Sequence, residues 1–179
     1  MAKRPPHKNL HLKYTICFPR VGDRVLMVYR YREPNKDLWN GLGGKLEPDE
    51  TPKQSVFREM REEAEMNLHK ALDVHFAGIV TWNKSDDPNL RVGMYSFIVD
   101  LPENYAIWNK EKETPEGLLG WKNQDWPANL ENLEVVSNIP HFLPPMLLKK
   151  TPAEYYFNYN EHKLIKHEVY PLPTDLSVE

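Results

Sequence analysis

Thr51-Pro52-Lys53-Gln54 sets the sharpest local constraint in this chain. The Thr51 hydroxyl can cap a helix, Pro52 has the φ a first turn needs and no N–H to leave unbonded, and the Gln54 side chain can reach back to the cap residue. A helix is therefore predicted from Pro52 to about Ala64, directly after the glycine-bearing stretch Leu38 to Asp49.

Around that helix the chain reads mostly as strand. Tyr14–Phe18 and Arg24–Tyr31 flank the turn Arg20–Asp23 and predict a hairpin, and Val74–Trp82 and Arg91–Val99 repeat the pattern across Ser85–Asn89. Leu118–Lys122 reads as a short further strand, and Glu154–Tyr159 with Lys163–Val169 form a last hairpin about Asn160-Glu161-His162. A second helix is predicted from about Pro140 to Lys150, where Pro144 and Pro145 imply a kink or a late start. Strands and helices in this mixed order suit an α+β domain in which a mixed sheet lies between helices as α/β/α layers.

At 179 residues the chain is long enough for one such domain. The expected division is a flexible segment over residues 1–9, a domain over 10–170 that includes the last hairpin, and a loose tail over 171–179. No apolar run follows the basic start Met1–His7, and nowhere do enough apolar residues adjoin to span a bilayer. A cytoplasmic protein with no membrane partner is expected. A net charge of −3 argues against coating a nucleic-acid polymer. The lone Cys17 excludes an internal disulfide and a cysteine-based metal site, and its place in a strand suits a small buried hydrophobe. His69, His75, His141, His162 and His167 show no metal-ligand spacing.

The chemistry concentrates on the first helix. At about 100° per residue Glu59, Glu62 and Glu63 share an arc of roughly 100°, beside an apolar face of Val56, Met60 and Ala64. An acidic face can simply be solvated, because like charges at this spacing cost only about 0.2–0.5 kcal/mol per pair. It can equally supply the oxygen ligands that a hard dication such as Mg²⁺ takes together with phosphate and water. Gly43 and Gly44, just upstream, allow bare backbone to approach such a ligand, and Arg58 can hold a carboxylate or meet a phosphate.

The same stretch resembles the Nudix box. Gly44 is followed after five residues by Glu50, and after seven more by Arg58-Glu59-Met60-Arg61-Glu62-Glu63-Ala64-Glu65-Met66. One position departs: Glu65 stands where the family has glycine, and the helix is expected to run on to Asn67. The resemblance implies a hydrolase that cleaves a nucleoside diphosphate linked to another group with Mg²⁺, or Mn²⁺ in its place. It assigns the metal to Glu59, Glu62, Glu63 and the Gly43 carbonyl, puts Glu63 near the attacking water, and gives Glu50 and Arg58 supporting roles. A further base or ligand on a later loop is expected at Glu116, with Glu113 as rival; both can equally be solvated loop carboxylates.

Trp39–Lys45 extends the likeness towards the MutT-type subgroup that clears oxidised purine nucleoside triphosphates such as 8-oxo-dGTP, as do Phe142–Lys150 and Tyr155–Tyr159. Asn40 and Asn138 match the places from which that subgroup reads the purine, and Gly44 and Lys45 fall on the substrate side. The alternatives are that Asn40 serves its turn and Asn138 caps its helix. Ala77–Lys84 lacks the proline of many ADP-ribose enzymes and the tyrosine of many dinucleoside-polyphosphate enzymes, which favours a nucleoside triphosphate. Hydrolysis of a nucleotide sugar or ADP-ribose, and a non-catalytic nucleotide-binding regulator, are the rival readings. Oligomeric state is left open.

Overall fold

The computed structural model describes residues 9–84, 87–105, 108–161 and 163–178. His162 and most of the N-terminal segment fall outside them. The elements in order are β1 (Asn9–Val21), β2 (Arg24–Arg30), β3 (Trp39–Asn40), α1 (Pro52–Ala64), β4 (Asp73–Lys84), β5 (Asp87–Asp100), β6 (Lys112–Glu113), β7 (Gly117–Asn123), α2 (Asp125–Ala128), α3 (Ile139–Leu147), β8 (Ala153–Asn160) and β9 (Lys163–Pro171). The strands form one mixed sheet in the order β6-β7-β2-β1-β5-β4-β8-β9, with β3 beside β2.

Side chains alternate across this sheet with the period of two that a strand imposes. From β1, Ile16 and Phe18 face one side and Cys17 and Val21 the other; from β2, Val25 and Met27 oppose Leu26 and Val28 in the same way. The first side packs against Ile139, Phe142, Leu143 and Met146 of α3, the second against Val56, Met60 and Ala64 of α1. The sheet is thus flanked by helices, as the mixed element order predicts. Among the described residues no helix is long and apolar enough to cross a membrane.

The β1–β2 hairpin forms at its turn but is shorter than expected. These strands pair only at Arg20↔Val25 and Val21↔Arg24, next to the turn. Beyond it they separate, β1 running parallel to β5 from Asn9 to Arg20 and β2 pairing with β7 along its whole length. The gap between them is filled by the glycine loop: Thr15 and Cys17 donate their N–H groups to the carbonyls of Gly44 and Leu42 at 2.8 and 2.7 Å, and Leu42 donates to the Cys17 carbonyl at 3.0 Å. The loop is therefore held as strand-like backbone at the sheet, facing α1.

α1 begins as predicted, with the reciprocal Thr51–Gln54 cap formed at 3.3 and 2.8 Å. Its end differs from expectation. Glu65 itself takes the left-handed conformation at φ 56°, and the N–H groups of both Glu65 and Met66 close on the Met60 carbonyl. The cause is tertiary, since Met66 is buried in the α1-side core. Asn67 instead caps a short 3₁₀ turn, Leu68–Lys70. α3 stops at Leu147 rather than Lys150. Pro171 belongs to β9, and Val178 in the tail packs against the α1-side core.

Candidate active site

α1 lies with its acidic face under the glycine loop. The Gly43 N–H donates to Glu63 Oε2 at 2.9 Å, joining loop to helix. Gly43 has φ +136°, and a Cβ there would sit 2.3 Å from the Thr15 carbonyl oxygen, so only glycine lets the loop lie this close to β1. At Gly44 a Cβ would sit 2.3 Å from Glu59 Oε1. Buried Thr15 Oγ1 and Ser55 Oγ, 3.0 Å apart, lock the other edge of α1 to β1.

Arg58 organises the carboxylates. Its Nε and Nη2 donate to the two oxygens of Glu50 at 2.8 and 2.9 Å, Nη1 donates to Glu59 at 2.8 Å and to Glu62 at 3.2 Å, and Nη2 reaches the Lys45 carbonyl at 3.1 Å. This fork lowers the pKa of Glu50, against the effect of burial, and raises the guanidinium's own pKa. Arg58 thus links Glu50 to Glu59 through its guanidinium. Lys45 takes part through its backbone while its side chain is exposed.

Glu59 and Glu63 are the desolvated pair. Burial raises the pKa of Glu59 against the pull of Arg58. Burial also pushes Glu63 up to about 7; the Gly43 N–H and Arg30 oppose it, while the charges of Glu59 and Glu116 add to it. Glu62 is half exposed. Cys17 is fully buried on the same side of the sheet, its thiol raised by burial and then by Glu63 and Glu59. That agrees with an inert core residue.

The later loop brings Glu116 into the field of Glu63, while Glu113 turns to the Tyr31 hydroxyl at 3.4 Å. Arg30, at the end of β2, is the charged neighbour of Glu63 that sequence reasoning missed. At the end of the apolar run Val25–Tyr29 it reads only as the polar residue where the strand leaves the core. Asn40 Oδ1 accepts from the Gly41 N–H at 2.9 Å, so Asn40 does serve its own turn. Asn138 precedes α3 but makes no side-chain cap; it is buried and hydrogen-bonds with Tyr159 of β8. A bridge between Trp39 and Val135, with Val136 N–H bonded to the Trp39 carbonyl at 3.0 Å, sets the segments carrying the two asparagines side by side.

The donor set fits a hard dication. It is all oxygen, and two of its carboxylates are buried against each other with raised pKa values, a cost that a nearby cation removes. The oxygens are not drawn together as a ready cage. Among the described residues the group of three or more acidic or histidine side chains whose ligand atoms all lie within 4.8 Å of one another is Asp73, His75 and Asp100. That group is already neutralised: Lys149 Nζ lies 3.3 Å from Asp73 and 2.5 Å from Asp100, and Arg20 bonds Asp100 at 2.7 Å.

Comparison with known proteins agrees with this geometry. A NUDIX domain profile matches residues 10–127. The chain is 26% identical over 162 residues to an uncharacterised Nudix hydrolase, YvcI, of Bacillus subtilis, covering 89% of this chain and 94% of that protein. It is 34% identical over 111 residues to a dihydroneopterin triphosphate diphosphatase of Haemophilus influenzae, covering 60% of this chain and 66% of that one. In fold it is similar to the MutT protein of Bacillus halodurans, with TM-score 0.64 at 21% identity over 89% and 98% of the two chains. It is also similar to the NUDIX domain of Shewanella oneidensis NrtR solved with ADP ribose, with TM-score 0.58 at 16% identity over 79% and 89%. The glutamate face under the glycine loop and the match across β1 to α2 lead to one conclusion: the chain belongs to the Nudix family and is a hydrolase of phosphoric anhydride bonds.

Proposed function

We propose that the protein is a Mg²⁺-dependent nucleoside triphosphate pyrophosphohydrolase, releasing a nucleoside monophosphate and pyrophosphate, with Mn²⁺ able to replace Mg²⁺. The supporting observation is the placement of buried Glu59, held by Arg58, and part-buried Glu63 beneath Gly43 and Gly44. Glu59, Glu62, Glu63 and the Gly43 carbonyl would hold the cation, which supplies charge neutralisation at the phosphates and acidifies a bound water. Glu63, joined to the glycine loop through the Gly43 N–H, would also lie beside the attacking water and accept its proton. Glu116 is the second candidate for that proton. Arg30, whose charge acts on Glu63, and the backbone at Gly44 and Lys45 would meet the phosphates.

The favoured substrate is an oxidised purine deoxynucleotide such as 8-oxo-dGTP, in the nucleotide pool of the cytoplasm. Asn138, buried and free of capping duty, offers an amide donor and acceptor to a base edge, with Asn40 on the neighbouring segment. A second reading is carried by the 34% identity to the Haemophilus influenzae protein: dihydroneopterin triphosphate also joins a bicyclic, hydrogen-bonding ring to a triphosphate.

A substrate panel ranked by kcat/KM tests both. With Mg²⁺, 8-oxo-dGTP is expected to exceed dGTP by at least about tenfold, since a site built for polar contacts penalises their loss. Dihydroneopterin triphosphate at the head of the panel would establish the second reading, and equal turnover of 8-oxo-dGTP and dGTP would defeat the first. A preference for ADP-ribose or a nucleotide sugar would defeat both.

A further inference from the structure

Tyr159 sits near the far end of β8, on the C-terminal hairpin, and is gripped by side chains from two other elements. The parallel pairing of β4 with β8 ends at Trp82↔Phe157. One residue on, the Asn83 side chain takes over from the backbone: its Nδ2 donates to the Tyr159 carbonyl at 2.9 Å, and its Oδ1 accepts from the Tyr159 N–H at 2.7 Å. An amide that mimics a peptide group thus extends the ladder. Tyr159 is fixed where β8 is irregular, beside the register shift at Asn158.

The fixed tyrosine carries its hydroxyl within interaction range of Ser137 and Asn138 at the start of α3, both of which favour the charged phenol against its burial, and the ring is partly buried against the α3-side core. Asn138 gains from this what its position does not otherwise provide. It stands at the helix N-cap with φ −89° and ψ −19°, outside the extended conformation in which a cap side chain folds back on the helix N–H groups, and it makes no such bond. A buried amide without a partner would be costly and free to turn over, exchanging donor and acceptor. The phenol, one donor and two acceptor sites, selects the orientation.

We infer that Tyr159, clamped by Asn83, is a positioning residue that holds the Asn138 amide in the orientation used to read the base of the substrate. The C-terminal hairpin is then part of the specificity apparatus. This rests on the proposed reading of Asn138 as a base contact. The bland account of Tyr159 is a core aromatic whose hydroxyl finds a convenient partner. The two differ in what Tyr159→Phe does: a packing role loses stability, whereas a positioning role loses discrimination.

The experiment measures kcat and KM for the best base-bearing triphosphate in the panel and for its unmodified counterpart, in the full-length protein and its Tyr159→Phe, Asn83→Ala and Asn138→Ala variants, with Tm for each. Tyr159→Phe is expected to cut the discrimination ratio by about tenfold through KM, with kcat within twofold of the parent and Tm little changed. Asn83→Ala should shift the ratio in the same direction. The double variant Tyr159→Phe/Asn138→Ala should discriminate no worse than Asn138→Ala alone, since both changes remove one interaction. An unchanged ratio in Tyr159→Phe, where Asn138→Ala abolishes discrimination, overturns the inference and leaves the base-contact reading standing. An unchanged ratio in Asn138→Ala removes that reading and the inference with it. A fall in kcat and Tm with the ratio intact would assign Tyr159 to the core.

Discussion

Gly43 and Gly44 adjoin in sequence but answer to different neighbours. A methyl at Gly43 meets backbone, the Thr15 carbonyl, and strains φ +136° as well; the nearest atoms a methyl at Gly44 meets are those of the Glu59 carboxylate. Gly43→Ala is therefore predicted to destabilise the fold by about 2 kcal/mol or more. Gly44→Ala should leave Tm within a few degrees while lowering kcat/KM by at least about tenfold, because Glu59 must leave the place in which Arg58 holds it. Thermal melts beside kinetics separate the two, and equal loss of stability would mean that Glu59 is not a distinct constraint on the loop. The glutamates of α1 and Arg58 were legible in the sequence because helical periodicity sets them side by side with no help from tertiary structure, whereas Glu50, ahead of the helix, was marked only by its spacing in the motif. Arg30 was not. Its nearness to Glu63 depends on where β2 ends relative to α1, and local spacing carries no such information.

Boundaries at the scale of an element follow the same division. The start of α1 is local chemistry, the Thr51–Gln54 cap, and was readable. Its end is decided by burial of Met66, which turns the chain at Glu65 although glycine is absent there. Glu65→Gly should then stabilise the protein by roughly 0.5–1 kcal/mol, since the left-handed conformation costs a side-chain-bearing residue more than that, and turnover should be unchanged. The exposed ion pair of Glu65 with Lys112 is lost in this variant, but pairs of that kind contribute little. A lower melting temperature in chemical or thermal denaturation would show that the pair outweighs the backbone strain. The β1–β2 hairpin is shorter than the sequence suggests for a related reason. Turn residues specify the turn, and the partner of a strand beyond it is chosen by what else fits, here the glycine loop between β1 and β2.

Across the whole molecule, Arg20, Asp100 and Lys149 tie the ends of β1 and β5 to the turn after α3. Arg20 also donates to the Leu147 carbonyl at 2.7 Å, and Lys149 reaches Asp73 at the start of β4. Burial acts to raise the pKa of Asp100, but the bonds and charges of Lys149 and Arg20 together bring it below its ordinary value. A depressed carboxyl contributes its full stabilisation above the unfolded-state pKa of about 4 and loses it as pH falls through the folded value. Asp100→Asn should lower stability at pH 7 by about 1–2 kcal/mol, roughly 2–8 °C in Tm, and the gap should close as pH falls below about 4. A gap that widens in acid would contradict the assignment. Layer order was readable from the mixed strand and helix pattern, whereas the parallel β1–β5 and β4–β8 pairings join segments far apart in the chain and leave no local mark. The central claim, that Glu59, Glu62 and Glu63 hold a divalent cation against the phosphates, is tested most directly by titrating Mn²⁺, with calorimetric or magnetic-resonance detection, into the protein saturated with a non-hydrolysable nucleoside triphosphate analogue. Glu59→Gln and Glu63→Gln are each predicted to weaken Mn²⁺ binding by at least about tenfold with the fold intact, since each removes a charged ligand from a site of few carboxylates. Mn²⁺ affinity equal to that of the parent protein in both variants would contradict it.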